Sequence, residues 1–462
     1  MVSIVHDLTG YRANNTIYLN GFIAALLLVA IYLIAVQWQV KEGGWVAQLF
    51  LIGLPLVAQC ATGGGYDLAN LLFLALFAIA ATAYLRTAGA RGLDALVAVT
   101  VMLAQLRYES ILMTLACAAI ILGKWIRTKH VRFSWVSVGL IAFLFVPILI
   151  NKLSMSNPMY FENKDGQPLT SPHYFWNNFS HAIVYLYQFG IVETNSAILS
   201  IVGTVAILFM FVHTGRLLWQ KKRLSDDLRV GLAISVVCCL NSLVMMFWFW
   251  SAWDDPMASR FSLVLTFAFI LSIMWLVKQW RLKKRIPRLV IWMLGVVCVV
   301  GGVPAAANST ASKNIITGRE FEFLFHTLSK YQQEKTLIVG QGYIGAIING
   351  YPAIPTPFAN VAPWKVYRAL HIQQYDNIVA MQRVNIDPAT MKEGPDQLAK
   401  LSDDFVLETI DERRFRPDII TRIVKIVGVK PGKEVIPEEE KKKGPPYKSG
   451  YDLIVDSLDK LP

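Results

Sequence analysis

The residues best placed to do chemistry in this chain stand at the ends of long apolar runs. Asp67 follows ATGGGY and opens a new apolar stretch. Arg107, Tyr108 and Glu109 lie together in LRYES, between two short apolar stretches. Asp254 and Asp255 stand in SAWDDP, and Arg260 follows in MASRFSL. Ionisable groups at membrane depth are expensive, so they face a cavity or a partner. A guanidinium fits a phosphate with two parallel hydrogen bonds. A neighbouring carboxylate can bind hydroxyl groups, orient a metal ion or take a proton from an attacking hydroxyl. Asp67 and Glu109 are therefore the candidate catalytic residues. Arg107 and Arg260 are the candidate phosphate ligands, and Tyr108, Asp254 and Asp255 are candidate cavity residues.

Each of these positions also has a plainer reading. Arg107 and Glu109 can form an interfacial ion pair. Asp254-Asp255 before Pro256 makes a natural turn and helix cap. Asp67 can cap the helix it opens, and Arg260 can reach for lipid headgroups. His173 in SPHYFWNN reads as an exposed loop histidine, and Gly63-Gly64-Gly65 as a tight turn. Residues 340–345 spell GxGxxG after a strand-like run, the dinucleotide fingerprint. Yet NGYPAIPTP breaks the helix that must follow, and no acidic residue falls between Glu334 and Asp376. A structural turn is the better reading there.

The elements that must position these groups are membrane spans. Of 462 residues, 55% are hydrophobic and only 16% charged. This excludes a disordered chain, a collagen-like fibre and a disulfide-stapled miniprotein. Apolar stretches of about span length recur near 17–36, 45–62, 66–85, 92–106, 110–126, 133–151, 194–215, 230–250, 259–277 and 289–306, then stop. This predicts ten spans, or nine if the short pair at 92–126 fuses. Each half of that pair has about 14–17 apolar residues, or roughly 21–25 Å of helix. That is less than a bilayer core, and an interrupted pair with polar residues at its break marks a site at membrane depth. The five cysteines all lie in apolar stretches and read as small buried hydrophobes. No zinc motif is present.

The net charge of +12 is a topology signal, not a nucleic-acid signal. The loops at 37–44, 86–92, 124–132, 216–229 and 278–288 hold 18 Lys and Arg, and the alternate set holds five. The first set is therefore assigned to the cytoplasm, and both termini to the opposite side. Reporter fusions at Lys222 and Lys283 are expected to report the cytoplasm, and a fusion at Lys400 the outside. A cytoplasmic signal from Lys400 would overturn this topology. The domain expectation is a membrane domain over 1–306 and a soluble extracytoplasmic α/β domain over 307–462. In the latter, EFEFLFHTLSKY suggests an amphipathic helix. KTLIVG, DNIVAMQRV and DFVLETI suggest strands. RPDIITRIVKIV fits either type, and EVIPEEEKKKGPPYKSG reads as a solvated linker.

These residues carry a resemblance. HDLTGYRANNTIYLNG, ATGGGYDLANLLF, LAQLRYESIL and MASRFSLVL resemble the GT-C class of integral-membrane glycosyltransferases. Within it they resemble the protein-mannosyltransferase-like group that includes the lipid A aminoarabinose transferases. The resemblance spans residues 1–306 and implies a multi-span fold with an outward cavity. It implies transfer of a hexosyl or pentosyl unit from a polyprenyl-phosphate donor to an acceptor at the outer face of a bacterial inner membrane. The acceptor is a lipid, a glycan or a protein, and the other partners are membrane lipids, with no nucleic acid. By position, Asp67 matches the acidic residue opening a family span. Arg107-Tyr108-Glu109 matches a polar break, and Arg260 a basic residue near the donor phosphate. The family's first span and first outer loop, which carries its usual base, have no counterpart here. No cofactor is required by these motifs, and a divalent metal stays open.

Two other functions remain in view. One is a truncated, non-catalytic membrane protein whose outer domain binds a partner or a glycan. The other is a lipid-linked glycan ligase or transporter, which the position of the large outer domain at the chain's end disfavours.

Overall fold

The structure is a computed structural model. It describes residues 2–9, 14–63, 65–87, 89–146, 149, 170–189, 194–255, 258–281, 286–311, 316–331, 333, 335–340, 342–386, 401–416 and 419–432. The chain is a polytopic α-helical membrane protein with a small C-terminal α/β unit. Its two compact units are Thr16–Ala311, and Ser312–Pro462 together with Met1–Asn15.

A short helix, α1 (Val2–Thr9), groups with the second unit. The membrane unit then runs α2 (Asn14–Gln37), α3 (Lys41–Ile52), α4 (Pro55–Thr62), α5 (Asp67–Thr87), α6 (Ala90–Leu106) and α7 (Met113–Thr128). It continues with α8 (Trp135–Ala142), α9 (Pro172–Tyr187), α10 (Ala197–Trp219), α11 (Asp226–Met245), α12 (Leu263–Arg281) and α13 (Ile286–Ala311). Among the described residues, seven stretches are long and apolar enough to cross a membrane. Helices α3 and α4 pass the same test only as a pair, bent by 67° at the break between them, the geometry of a broken span or a re-entrant loop. Of the ten expected spans, that at 92–106 is a 17-residue helix, α6. The one at 133–151 is described as an apolar helix over Trp135–Phe145, and most of its remainder lies outside the described residues.

The bend at α3–α4 follows from Pro55. A residue before proline is pushed out of helical geometry, and Leu54 is extended (φ −91°, ψ 110°). The Leu56 amide donates to the Thr194 carbonyl at 2.8 Å. Glycines let α13 approach this bend backbone to backbone. A Cβ on Gly302 would stand 1.8 Å from the Gly53 carbonyl oxygen. Helix α12 is apolar on all sides and is the most deeply packed of the described spans.

The second unit contains α14 (Ile316–Leu328), β1 (Thr336–Val339), α15 (Tyr343–Ile348), β2 (Ala353–Ile354), α16 (Thr356–Val361) and α17 (Pro363–His371). Strands β3 (Asn377–Asn385), β4 (Phe405–Arg416) and β5 (Ile419–Val429) follow. The sheet order is β2-β1-β3-β5-β4, parallel over the first three strands and antiparallel from β3 to β5 to β4. The ambiguous RPDIITRIVKIV run is thus largely strand. Alternation along β1 covers both faces of the sheet. Leu337 and Val339 pack with Ala359 and Val366, while Ile338 packs with Phe323, Leu324 and Leu328. Glu320 of α14 is fully buried, and Arg383 Nε reaches its two oxygens at 3.0 and 3.1 Å. Thr421 Oγ1 also donates to Glu320, at 2.6 Å. This pins the helix to β3 and β5.

The GxGxxG segment serves packing. A Cβ on Gly342 would stand 2.1 Å from the Phe321 ring, and one on Gly345 would stand 3.0 Å from it. The helix that follows has only six residues. An aromatic ring of α14 therefore rests on the glycines that a dinucleotide fold would turn to a pyrophosphate. The EVIPEEEKKKGPPYKSG segment lies outside the described residues.

Candidate functional site

The site begins with α2. Asn20 is 5% exposed, although it lies in an apolar helix. Its Nδ2 donates to the carbonyls of Gly63 (2.6 Å) and Gly65 (3.2 Å). A buried amide needs such partners, and the amide here holds the two glycine carbonyls ahead of α5. The first residue of α5 is Asp67, which is buried. A Cβ on Gly65 would stand 2.7 Å from Asp67 Oδ2, so the glycine leaves the carboxylate room that a side chain there would crowd.

The second half of the site is the break between α6 and α7. Arg107 is extended (φ −144°, ψ 130°) and ends α6, and a 3₁₀ turn over Tyr108–Leu112 leads into α7. Arg107 Nη1 pairs with Asp67 Oδ1, and Arg107 Nε pairs with Glu109 Oε1. Exposure of the three side chains is 14%, 8% and 7% for Arg107, Asp67 and Glu109. Ser110 Oγ donates to Asn70 Oδ1 at 2.8 Å, one turn along α5. Two polar bridges therefore lock the start of α5 to the α6–α7 break.

The third part is a 3₁₀ turn over Ser259–Ser262 that precedes α12. Two guanidinium groups lie against the ring of Phe261. Arg107 Cζ lies 5.2 Å from the ring centroid and Arg260 Cζ 5.7 Å. The two guanidinium carbons are therefore within about 11 Å of each other, the most those two distances permit. Such cation–π contacts hold a guanidinium without neutralising it. Cys60, near the end of α4, lies within electrostatic reach of Asp67, Arg107 and Arg260.

The structure thus brings four of the sequence candidates together: Asp67, Arg107, Glu109 and Arg260. Their charges are arranged unequally. Arg107 is shared by two carboxylates. Among the described residues, no carboxylate pairs with Arg260. Its Nε is buried without a hydrogen-bond partner, and so is Glu109 Oε2. An unmade bond at a buried polar atom costs about 1–3 kcal/mol. A guanidinium and a carboxylate are each left with an open position on one cluster.

The other candidates have different placements. Asp254 pairs with His181 of α9, Oδ2 to Nδ1 at 2.5 Å, with both side chains 38% exposed. Asp255 caps its own turn, since its Oδ1 accepts from the Ala258 amide at 3.1 Å and its carbonyl from the Ser259 amide at 2.8 Å. Tyr108 opens the 3₁₀ turn, and its side chain lies outside the described residues. His173 is exposed in the first turn of α9, and its amide donates to Ser171 Oγ. Asn20, Asn70, Ser110 and Phe261 were not singled out from the sequence. For Asn20 and Asn70 a signal existed, an amide placed inside an apolar run.

Among the described residues, no group of three His, Cys, Asp or Glu side chains is placed to hold a metal ion. Asp67 and Glu109 converge on a guanidinium. A separate cavity of about 380 Å³ lies beside the α3–α4 bend and is lined by Gly53, Pro55, Asn195, Ser196, Cys298 and Gly302 among others.

No protein-family model matches the chain, and no curated protein matches it. Among solved structures it is similar to ArnT from Cupriavidus metallidurans bound to undecaprenyl phosphate. That similarity has a TM-score of 0.45 at 12% identity, over 94% of this chain and 88% of that one.

Proposed function

We propose that the membrane unit is a glycosyltransferase that takes a sugar from a polyprenyl-phosphate donor and passes it to a hydroxyl-bearing acceptor. The observation that carries this reading is the pair of open positions, Arg260 Nε and Glu109 Oε2, on a cluster held rigid by Arg107. Arg260 binds the donor phosphate. The acceptor oxygen attacks the anomeric carbon, and the bond from that carbon to the phosphate oxygen breaks. The acceptor's proton passes to Glu109, and the lipid phosphate leaves with its charge increased. Arg260 therefore binds the leaving group more strongly in the transition state than in the ground state, which is the condition for catalysis. Asp67 and Glu109 together hold Arg107, and Arg107 in turn fixes the direction in which Glu109 presents its free oxygen.

The site and the C-terminal unit lie on the extracytoplasmic side in this reading, which rests on the 18-to-5 bias of basic residues between alternate loops. A lipid, a glycan or a protein serves as acceptor.

The test is binding of a panel of polyprenyl-phosphate sugars to the purified full chain in detergent. A member of the panel should bind more tightly than the same lipid without its phosphate. If the phosphate makes no difference for any member, the reading fails.

A further inference from the structure

Helix α7 begins beside the Arg107 cluster and ends 16 residues later, about 24 Å away. A second charged cluster is built at that far end. Arg127 Nη1 lies 3.0 Å from Asp226 Oδ1 at the start of α11, and Arg229 Nη1 reaches the same oxygen at 3.6 Å. Lys124, nearly a turn earlier on α7, is 5% exposed and donates to the Leu85 carbonyl near the end of α5. Arg132 stands within electrostatic reach of Lys124, and Arg223 within reach of Arg229. Arg127 and Arg229 therefore share one carboxylate with Lys124 in reach of it, and Arg132 and Arg223 extend the same basic group. The neighbouring Asp227 does not offset them, since it is engaged by Lys278 at 3.0 Å.

A basic loop facing water needs no anion. Here, however, Lys124 is buried, and Arg127 and Arg229 lie on helices and converge on a single oxygen, so three cations are held close together by the fold. Among the described residues, no carboxylate pairs with Arg132 or Arg223, and both are exposed. The rim is aromatic. Phe133 is 59% exposed, Trp135 80% and Trp219 90%. Phe133 and Trp135 stack edge to face with centroids 4.9 Å apart. Exposed Trp flanking basic residues at a span's end marks the headgroup layer.

We infer that this end of the bundle is a binding site for the phosphate of an anionic phospholipid. Arg132 and Arg223 are its free ligands, and Arg127, Arg229 and Lys124 supply the field. The aromatic rim selects a lipid over a soluble phosphate, because those rings lie against acyl chains and glycerol only when the anion belongs to the bilayer. The inference is independent of the glycosyltransferase reading.

Native mass spectrometry of the full chain in detergent tests it, with phosphatidylglycerol, phosphatidylcholine and inorganic phosphate as probes. Phosphatidylglycerol should be retained and phosphatidylcholine lost. Each surface cation removed should weaken retention roughly fivefold, so Arg132→Gln with Arg223→Gln should lower affinity about 25-fold. A control that removes two exposed cations of the C-terminal unit, Arg368→Gln with Lys430→Gln, should bind as the parent does. For the parent alone, raising salt from about 0.1 to 0.5 M should weaken retention, because the Debye length roughly halves. Equal retention of the two lipids, parent-like affinity in the Arg132/Arg223 variant, or insensitivity to salt would each overturn the inference. Displacement of the lipid by an equal concentration of inorganic phosphate would do so as well, since it would assign the site to a soluble anion.

Discussion

Replacing Arg107 with alanine is expected to lower the stability of the membrane unit by about 3–5 kcal/mol, the usual cost of removing one partner from a buried ion pair. The loss comes from what remains. Asp67 and Glu109 would face each other as two carboxylates, 8% and 7% exposed, with their shared cation gone. Neutralising them should restore part of the loss, so Arg107→Ala combined with Asp67→Asn and Glu109→Gln should melt between the single variant and the parent. Thermal melting in one detergent measures this. A single variant that melts with the parent would mean that the triad contributes nothing to the fold.

Glu109→Gln should act on turnover instead. Glutamine keeps the shape of the side chain, and its amide oxygen can still accept from Arg107 Nε. It cannot take the acceptor's proton. General-base catalysis is worth about 10²- to 10⁴-fold, so kcat should fall by that range while donor affinity changes little. Asp67→Asn should cost less, because Asp67 orients Arg107 without contacting the acceptor. If the two variants lose equal activity, or if Glu109→Gln turns over at the parent's rate, Glu109 is not the base.

Much of this site was legible because charge in an apolar run is conspicuous. Asp67, Arg107, Glu109 and Arg260 stand at the ends of spans where little else is ionised, and the fold gathers them. What stayed hidden was neutral or distant. Asn20 looks like one polar residue in a span until its amide is seen holding the carbonyls of Gly63 and Gly65. Phe261 is one of 24 phenylalanines, and only the fold places its ring against two guanidinium groups. The pairing of Asp254 with His181 crosses 73 residues of sequence, so no local pattern announces it. Within the C-terminal unit, the strands with strong alternation or long apolar runs were readable. The 419–429 strand was ambiguous alone, because its β-branched residues pair with β3 and β4 only in three dimensions. The short helices α16 and α17 begin next to prolines that read as breakers and prove to be first-turn residues.

The central claim is that Arg260 holds a lipid-linked phosphate. The direct measurement is the affinity of a polyprenyl-phosphate sugar for the parent, Arg260→Ala and Arg260→Lys in one detergent. A charge-assisted hydrogen bond contributes about 1.5–3 kcal/mol, so Arg260→Ala should bind the donor roughly 10- to 150-fold more weakly. Arg260→Lys should fall between, since lysine keeps the charge and loses the planar fork. If Arg260→Ala binds the donor as tightly as the parent, the phosphate is held elsewhere, and Arg260 serves only to reach the lipid headgroups.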